Sequence, residues 1–176
     1  MDKIYLNADE ILFESFKLAK QIYDSNYIPD IIIGIWRGGS LITLAVDEYF
    51  RFKNIKIPTY PLKSEAYNEN NELKDIKIFG VDFILNLINE KTKVLIVDDV
   101  LDSGLSLNNI LNELKKITNN IKIATLYFKP ESNKTNIKPD FYLHETNKWI
   151  VFPHELESLN SEEIKLKNSK IHSLLL

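Results

Sequence analysis

The sequence contains no cysteine, which excludes disulfides and thiolate metal sites. It has no long apolar run; none approaches the ~20 residues that a membrane-spanning helix needs. Basic residues are not in excess: 22 Lys and Arg stand against 25 Asp and Glu, for a net charge of −3 and a pI near 5.7. The electrostatic footprint of a nucleic-acid binder is therefore missing. The opening Met1-Asp2-Lys3-Ile4-Tyr5-Leu6 lacks a signal-peptide pattern, so a cytoplasmic location is the expectation. With no repeat or linker, the 176 residues are expected to form one domain, 1–176, large enough for a sizeable core.

What the chain does contain is an alternation of strand and helix patterns, which points to a doubly wound parallel sheet in an α/β protein. Helical faces recur over Asp9–Tyr23, Ser40–Phe50 and Leu105–Ile117, and apolar strand runs over Asp30–Ile35, Ile55–Leu62, Lys93–Val97 and Ile121–Phe128. Ser64–Asp75 is polar and without a clear period, which predicts a mobile loop. Beyond Pro130, Phe141–Leu143 and Trp149–Phe152 read as a pair of strands.

The chemistry is densest where Val94-Leu95-Ile96-Val97 runs into Asp98-Asp99-Val100-Leu101-Asp102-Ser103-Gly104-Leu105-Ser106. A buried strand leads through acids and a hydroxyl-Gly-x-hydroxyl turn into a helix. Ligands of open α/β sheets bind at such carboxyl strand ends. The free N–H groups and dipole of the following helix favour an anion there. Gly104 lets the backbone approach a phosphate, and Ser103 and Ser106 add hydroxyl donors. Asp98 and Asp99 would repel a bare phosphate. They suit sugar hydroxyls or a hard divalent cation such as Mg²⁺. A strand ending in two acids also occurs in nucleotide hydrolases, but no Walker A glycine loop precedes the acids here.

A second strand-loop-helix junction, Ile31-Ile32-Ile33-Gly34-Ile35-Trp36-Arg37-Gly38-Gly39-Ser40, repeats the logic. Gly38 and Gly39 open the backbone, and Arg37 brings a planar donor fork suited to phosphate oxygens. A ligand with a phosphate at each end would need both loops.

The segment Val94–Ser106 closely resembles the phosphoribosyl pyrophosphate motif of the type I phosphoribosyltransferases. The Arg37-Gly38-Gly39 loop resembles the pyrophosphate loop of the 6-oxopurine members, where a non-proline cis peptide can occur. The resemblance implies a Rossmann-like central parallel sheet flanked by helices, with a small hood built from chain-terminal segments. It also implies Mg²⁺-dependent transfer of a 5-phosphoribosyl group from phosphoribosyl pyrophosphate to guanine, xanthine or hypoxanthine, in purine salvage. The products would be pyrophosphate and GMP, XMP or IMP.

By the same resemblance, Arg37, Gly38, Gly39, Asp98, Asp99, Asp102, Ser103, Gly104, Leu105 and Ser106 contact phosphoribosyl pyrophosphate. Asp98 and Asp99 hold the ribose hydroxyls, directly or through the metal, and Asp102 acts as the general base at purine N7 or hydrogen-bonds there. Tyr127-Phe128-Lys129-Pro130 and Trp149-Ile150-Val151-Phe152-Pro153-His154-Glu155 resemble the base-recognition elements. Lys129 then donates to the purine 6-oxo group, Trp149 stacks on the ring and the Ile150 backbone reads position 2. A lysine has donors only, which favours an oxo over an amino group. The chain departs from the pattern at His154, where many relatives carry Trp, and at Asn71, where an Arg is common. Leu105 replaces a more usual Gly or Lys, but only its backbone amide is needed. The family commonly forms dimers or tetramers, so a homo-oligomer is expected. Two other readings stay open: a non-catalytic regulator that binds phosphoribosyl pyrophosphate or nucleotides, and a phosphoribosyltransferase for another base.

Overall fold

An unbroken apolar stretch is stable as a strand only where both sheet faces are covered, and two stretches here meet that condition. Ile31, Ile32 and Ile33 are at most 4% exposed and Val94 to Val97 are completely buried. The computed structural model describes residues 3–69 and 72–175, with the backbone alone described at 66–69 and 72–76. In chain order the elements are β1 (Lys3–Tyr5), α1 (Ala8–Asp24), β2 (Ile31–Trp36), α2 (Gly39–Phe52), β3 (Thr59–Glu69), β4 (Glu72–Phe79), α3 (Val81–Leu85), β5 (Val94–Leu101), α4 (Leu105–Leu114), β6 (Ile121–Phe128), β7 (Phe141–Glu145), β8 (Trp149–Val151), α5 (Ser161–Lys167) and α6 (Ser169–Leu175). Among the described residues, no helix is long and apolar enough to cross a membrane.

The chain divides into two units, one of residues 12–147 and one of residues 1–11 with 148–176. In the larger, six strands lie in the order β4-β3-β2-β5-β6-β7. All neighbours are parallel except β4, which runs antiparallel to β3. After β2 the chain moves outward to β3 and β4, then returns to place β5 beside β2 and continues outward the other way through β6 and β7. The direction of winding thus reverses between β2 and β5, which creates the crevice where α/β sheets hold ligands. Both loops singled out in the sequence leave from the two strands that flank this reversal.

Helices cover the sheet because their apolar stripes match it. On one face Ile33, Ile96, Leu101 and Ile123 pack with Ile84 of α3 and with Leu107, Ile110, Leu111 and Leu114 of α4. α2 packs on β2 and β5 and buries Ile42, Ala45, Val46 and Phe50. Tyr23 of α1 meets Phe50 and Tyr49 edge-on. Each such buried aliphatic or aromatic side chain contributes about 1.5–3 kcal/mol.

Two sequence expectations need correction. Residues 64–75 were expected to form a mobile loop. Instead 64–69 of β3 pair with 72–78 of β4 in an antiparallel ribbon, with a register shift between Tyr67 and Asn68. A ribbon at a sheet edge is held by backbone hydrogen bonds and needs no apolar period. Asn71 lies outside the described residues. The expected pairing of 141–143 with 149–152 does not form either: β7 pairs with β6 and β8 pairs with β1, both in parallel.

The smaller unit is built from segments near both chain ends. Lys3, Ile4 and Tyr5 sit opposite Trp149, Ile150 and Val151, and the Leu6 N–H donates to the Val151 carbonyl at 3.1 Å. Asn160 and Glu163 form a reciprocal capping box at the start of α5. Glu163 also pairs with Lys3. Lys167 of α5 donates to the Phe152 carbonyl at 2.7 Å and to the Glu155 carbonyl.

Candidate active site

The first loop is pressed against the acidic end of β5. β2 ends at Trp36, and the Trp36–Arg37 peptide bond is cis. Arg37 is exposed, and α2 starts at Gly39. A Cβ on Gly38 would lie 2.2 Å from Asp99 Oδ2, and one on Gly39 would lie 2.5 Å from the Val97 carbonyl oxygen. Both distances are far inside van der Waals contact, so only glycine lets this loop approach β5. The Gly39 N–H donates to the Asp98 carboxylate, which ties the first loop to the acidic end of β5.

β5 continues through Leu101 rather than ending at Val97, so Asp98 and Asp99 stand on the strand itself. Asp98 is half-buried and Asp99 is buried. The Asp99 N–H donates to Asp98 Oδ1 at 3.0 Å, and the Val100 N–H donates to Asp99 Oδ1 at 2.7 Å. Burial and the adjacent Asp99 charge hold the Asp98 carboxyl well above the usual carboxylate range. Two crowded carboxylates form a hard-oxygen donor set that a divalent cation would relieve. Among the described residues, no group of three or more acidic or His side chains is placed to hold a metal. Two carboxylates, with water and substrate oxygens completing the shell, fit the way Mg²⁺ is usually held.

The second loop follows at once. Asp102, Ser103 and Gly104 connect β5 to α4, with Gly104 at φ +74°, a left-handed conformation that other residues rarely take. The Ser103 hydroxyl lies 3.5 Å from the Leu105 N–H. The turn is braced from behind. The Lys134 N–H donates to the Ser103 carbonyl at 3.0 Å, and a Cβ on Gly104 would meet Thr135 Oγ1 at 2.5 Å and Asn133 Oδ1 at 2.9 Å. Neither Asn133 nor Thr135 belongs to a sequence motif, and only the fold reveals this brace. In front of the turn is a cleft of about 170 Å³ lined by Asp98, Asp102, Ser103, Gly104, Ser106 and Thr125. Thr125, also missed from the sequence, is fully buried on β6. A lone hydroxyl inside the apolar run Ile123-Ala124-Thr125-Leu126 was the available signal.

Lys129 is buried, and its Nζ lies 2.9 Å from Asp102 Oδ2. The larger unit therefore gathers Arg37, Gly38, Gly39, Asp98, Asp99, Asp102, Ser103, Gly104, Leu105, Ser106 and Lys129 at neighbouring strand ends. Trp149 and Ile150 stand on β8 of the smaller unit, Trp149 43% exposed and Ile150 buried. Chemically, the gathered residues combine donors for two anions, two carboxylates for a cation or sugar hydroxyls, and a lysine–aspartate pair beside them.

Comparison with known proteins gives a consistent picture. The family model for the phosphoribosyl transferase domain matches residues 2–160. A hypoxanthine-guanine phosphoribosyltransferase of Streptococcus pyogenes is 26% identical over 160 residues, covering 86% of this chain and 83% of that protein. The human phosphoribosyltransferase domain-containing protein 1 is 28% identical over 135 residues. That match spans 71% of this chain but only 58% of the human protein. Among solved structures, a purine phosphoribosyltransferase from Pyrococcus horikoshii Ot3 is similar with a TM-score of 0.71 and 31% identity. The likeness covers 91% of this chain and 98% of that one.

Proposed function

We infer that this chain, which belongs to the phosphoribosyl transferase family, is a purine phosphoribosyltransferase. Its reaction joins guanine, xanthine or hypoxanthine to phosphoribosyl pyrophosphate, releasing pyrophosphate and forming GMP, XMP or IMP in purine salvage. One observation carries the reading: the two anion loops flank the reversal of the sheet, and the Asp98–Asp99 pair lies between them. A ligand with a 5-phosphate at one end and a pyrophosphate at the other matches that spacing of parts.

The chain's own residues have distinct tasks. The turn of Asp102 to Ser106, at the amino end of α4, binds the 5-phosphate. Arg37 and the Gly38-Gly39 backbone receive the pyrophosphate, and Arg37 offsets the charge that grows on it as the ribose C1–O bond loosens. Asp98 and Asp99 orient the ribose hydroxyls and hold Mg²⁺, which when bound supplies charge neutralisation for the leaving group. Purine N9 then attacks the electron-poor C1, and Asp102 takes or holds the proton at N7. Lys129 donates to the 6-oxo oxygen. The roles of Trp149, stacking on the base, and of the Ile150 backbone, reading position 2, rest on resemblance alone. The polar β3–β4 ribbon is the candidate cover that keeps water from phosphoribosyl pyrophosphate. A homo-oligomer, dimer or tetramer, acting in the cytoplasm, completes the reading.

The deciding experiment is a spectrophotometric turnover assay with Mg²⁺, phosphoribosyl pyrophosphate and each of guanine, xanthine, hypoxanthine, adenine, uracil and orotate. Turnover confined to the oxopurines is the expected result. Turnover with adenine or a pyrimidine instead would replace the base assignment. Tight binding of phosphoribosyl pyrophosphate without turnover of any base would make the chain a ligand-binding regulator.

A further inference from the structure

Thr125 interrupts the apolar run of β6, and its hydroxyl has no hydrogen-bond partner although the residue is 0% exposed. Among the described residues, only the Ser64 hydroxyl shares that state. Buried polar groups are almost always satisfied, so one that is not calls for an explanation. Packing is no explanation, because valine has the same shape and carries no desolvation cost.

Its position supplies a reason. Thr125 stands opposite Asp98 in the parallel β5–β6 pair, so both side chains leave the sheet on the same face. Thr125 lines the cleft of about 170 Å³ with Asp98, Asp102, Ser103, Gly104 and Ser106. That volume equals about six waters at ~30 Å³ each, enough for a phosphate group with one or two waters. α4, ten residues long, directs its amino end to the same turn. A phosphate held there has oxygens on more than one side. The helix end and the serines serve those facing α4, and an oxygen facing the sheet needs a donor from the sheet. On that wall Asp98 is taken up by the Gly39 and Asp99 N–H groups, whereas the threonine hydroxyl is without a partner and can donate.

We propose that Thr125 is a further ligand-binding residue, its hydroxyl donating from the floor of this cleft to an oxygen of a sugar phosphate's phosphomonoester. The proposal rests on the reading of the Asp102–Ser106 turn as the 5-phosphate site. It adds a contact from β6, an element outside both anion loops.

The test compares the wild type, Thr125→Val and Thr125→Ser by calorimetric titration with ribose 5-phosphate and with inorganic phosphate, alongside ligand-free thermal melts. The valine variant should bind ribose 5-phosphate about tenfold more weakly, the loss expected of one hydrogen bond. Its ligand-free melting temperature should hold or rise, because the buried hydroxyl is gone. The serine variant should bind like the wild type. Equal affinity in the valine variant would overturn the proposal while leaving the phosphate site intact. A lower melting temperature in the valine variant, restored by serine, would make the hydroxyl structural and overturn it too. A wild type that binds neither ribose 5-phosphate nor inorganic phosphate would bring down the phosphate reading of the turn, and this inference with it.

Discussion

Lys129 and Asp102 are 27 positions apart in sequence and 2.9 Å apart in space. Each is the first residue beyond its strand, Asp102 after β5 and Lys129 after β6. Leu101 and Phe128, the last residues of those strands, are register partners. The Lys129 N–H also donates to the Leu101 carbonyl at 2.9 Å. Parallel pairing thus delivers a buried ammonium and a half-exposed carboxylate to the same strand ends, where each meets an opposite charge. A buried charge is tolerable only with such compensation.

If Asp102 handles the proton at purine N7, Asp102→Asn keeps the size and polarity of the side chain and removes the basicity. Turnover should fall by about 10²–10⁴-fold, the usual worth of a positioned general base. The KM for phosphoribosyl pyrophosphate should stay within a few-fold, because the backbone N–H groups of the turn are untouched. Steady-state kinetics of the two proteins decide the matter; an unchanged kcat would remove Asp102 from proton transfer.

Lys129→Met tests the base assignment separately. Methionine fills the buried volume, and Asp102, with a side chain 47% exposed, can regain water. The melting temperature should therefore change little. The KM for hypoxanthine should rise about tenfold or more while that for phosphoribosyl pyrophosphate does not, since a charged donor to the oxo group is worth about 1.5–3 kcal/mol. Parallel increases in both KM values would count against a base-specific contact.

The two glycines of the first loop should behave differently. On Gly38 an added Cβ meets the Asp99 side chain at 2.2 Å, and on Gly39 it meets the Val97 main-chain oxygen at 2.5 Å. A side chain can turn away, but the backbone of a central buried strand cannot shift so easily. Gly38→Ala should lose at least 100-fold in kcat/KM with a modest drop in melting temperature, because the acid pair is displaced. Gly39→Ala should destabilise the fold by about 1–3 kcal/mol, typical of overpacking. Urea denaturation and kinetics on both variants read the contrast, and reversed rankings would refute it.

Much of this arrangement was legible in the sequence for a physical reason. β2 and β5 are buried on both faces and therefore read as continuous apolar runs. Glycines mark the two loops because neighbouring atoms leave no room for a Cβ. The β3–β4 ribbon was not legible, because its pairing is between backbones and Ser64–Asp75 carries no apolar stripe. The partner of β8 was not legible either, since three-residue strands from opposite chain ends leave no local sign of each other. Thr125, the Asn133–Thr135 brace and the Lys129–Asp102 pair depend on register between distant strands and loops. No spacing along the chain encodes that register.

Tyr27 gives a prediction independent of the chemistry. Its hydroxyl donates to the Val94 carbonyl at 3.0 Å. Burial, reinforced by the negative charges of Asp140 and Asp30, holds its pKa far above the ordinary tyrosine value. The sign follows from linkage. Below about pH 10, the ordinary value, the phenol is protonated in both folded and unfolded chains, and its contribution is complete. Above that, the unfolded chain loses the proton while the folded chain keeps it, so stability falls with rising pH. The slope from this one group approaches about 1.4 kcal/mol per pH unit. Tyr27→Phe removes the slope at a cost of about 1 kcal/mol near neutrality, from the lost hydrogen bond. Urea denaturation of both proteins at pH 8, 10 and 11 should therefore show the wild-type advantage shrinking above pH 10 and then reversing. An advantage that stays constant to pH 11 would mean that the folded phenol ionises as readily as the unfolded one.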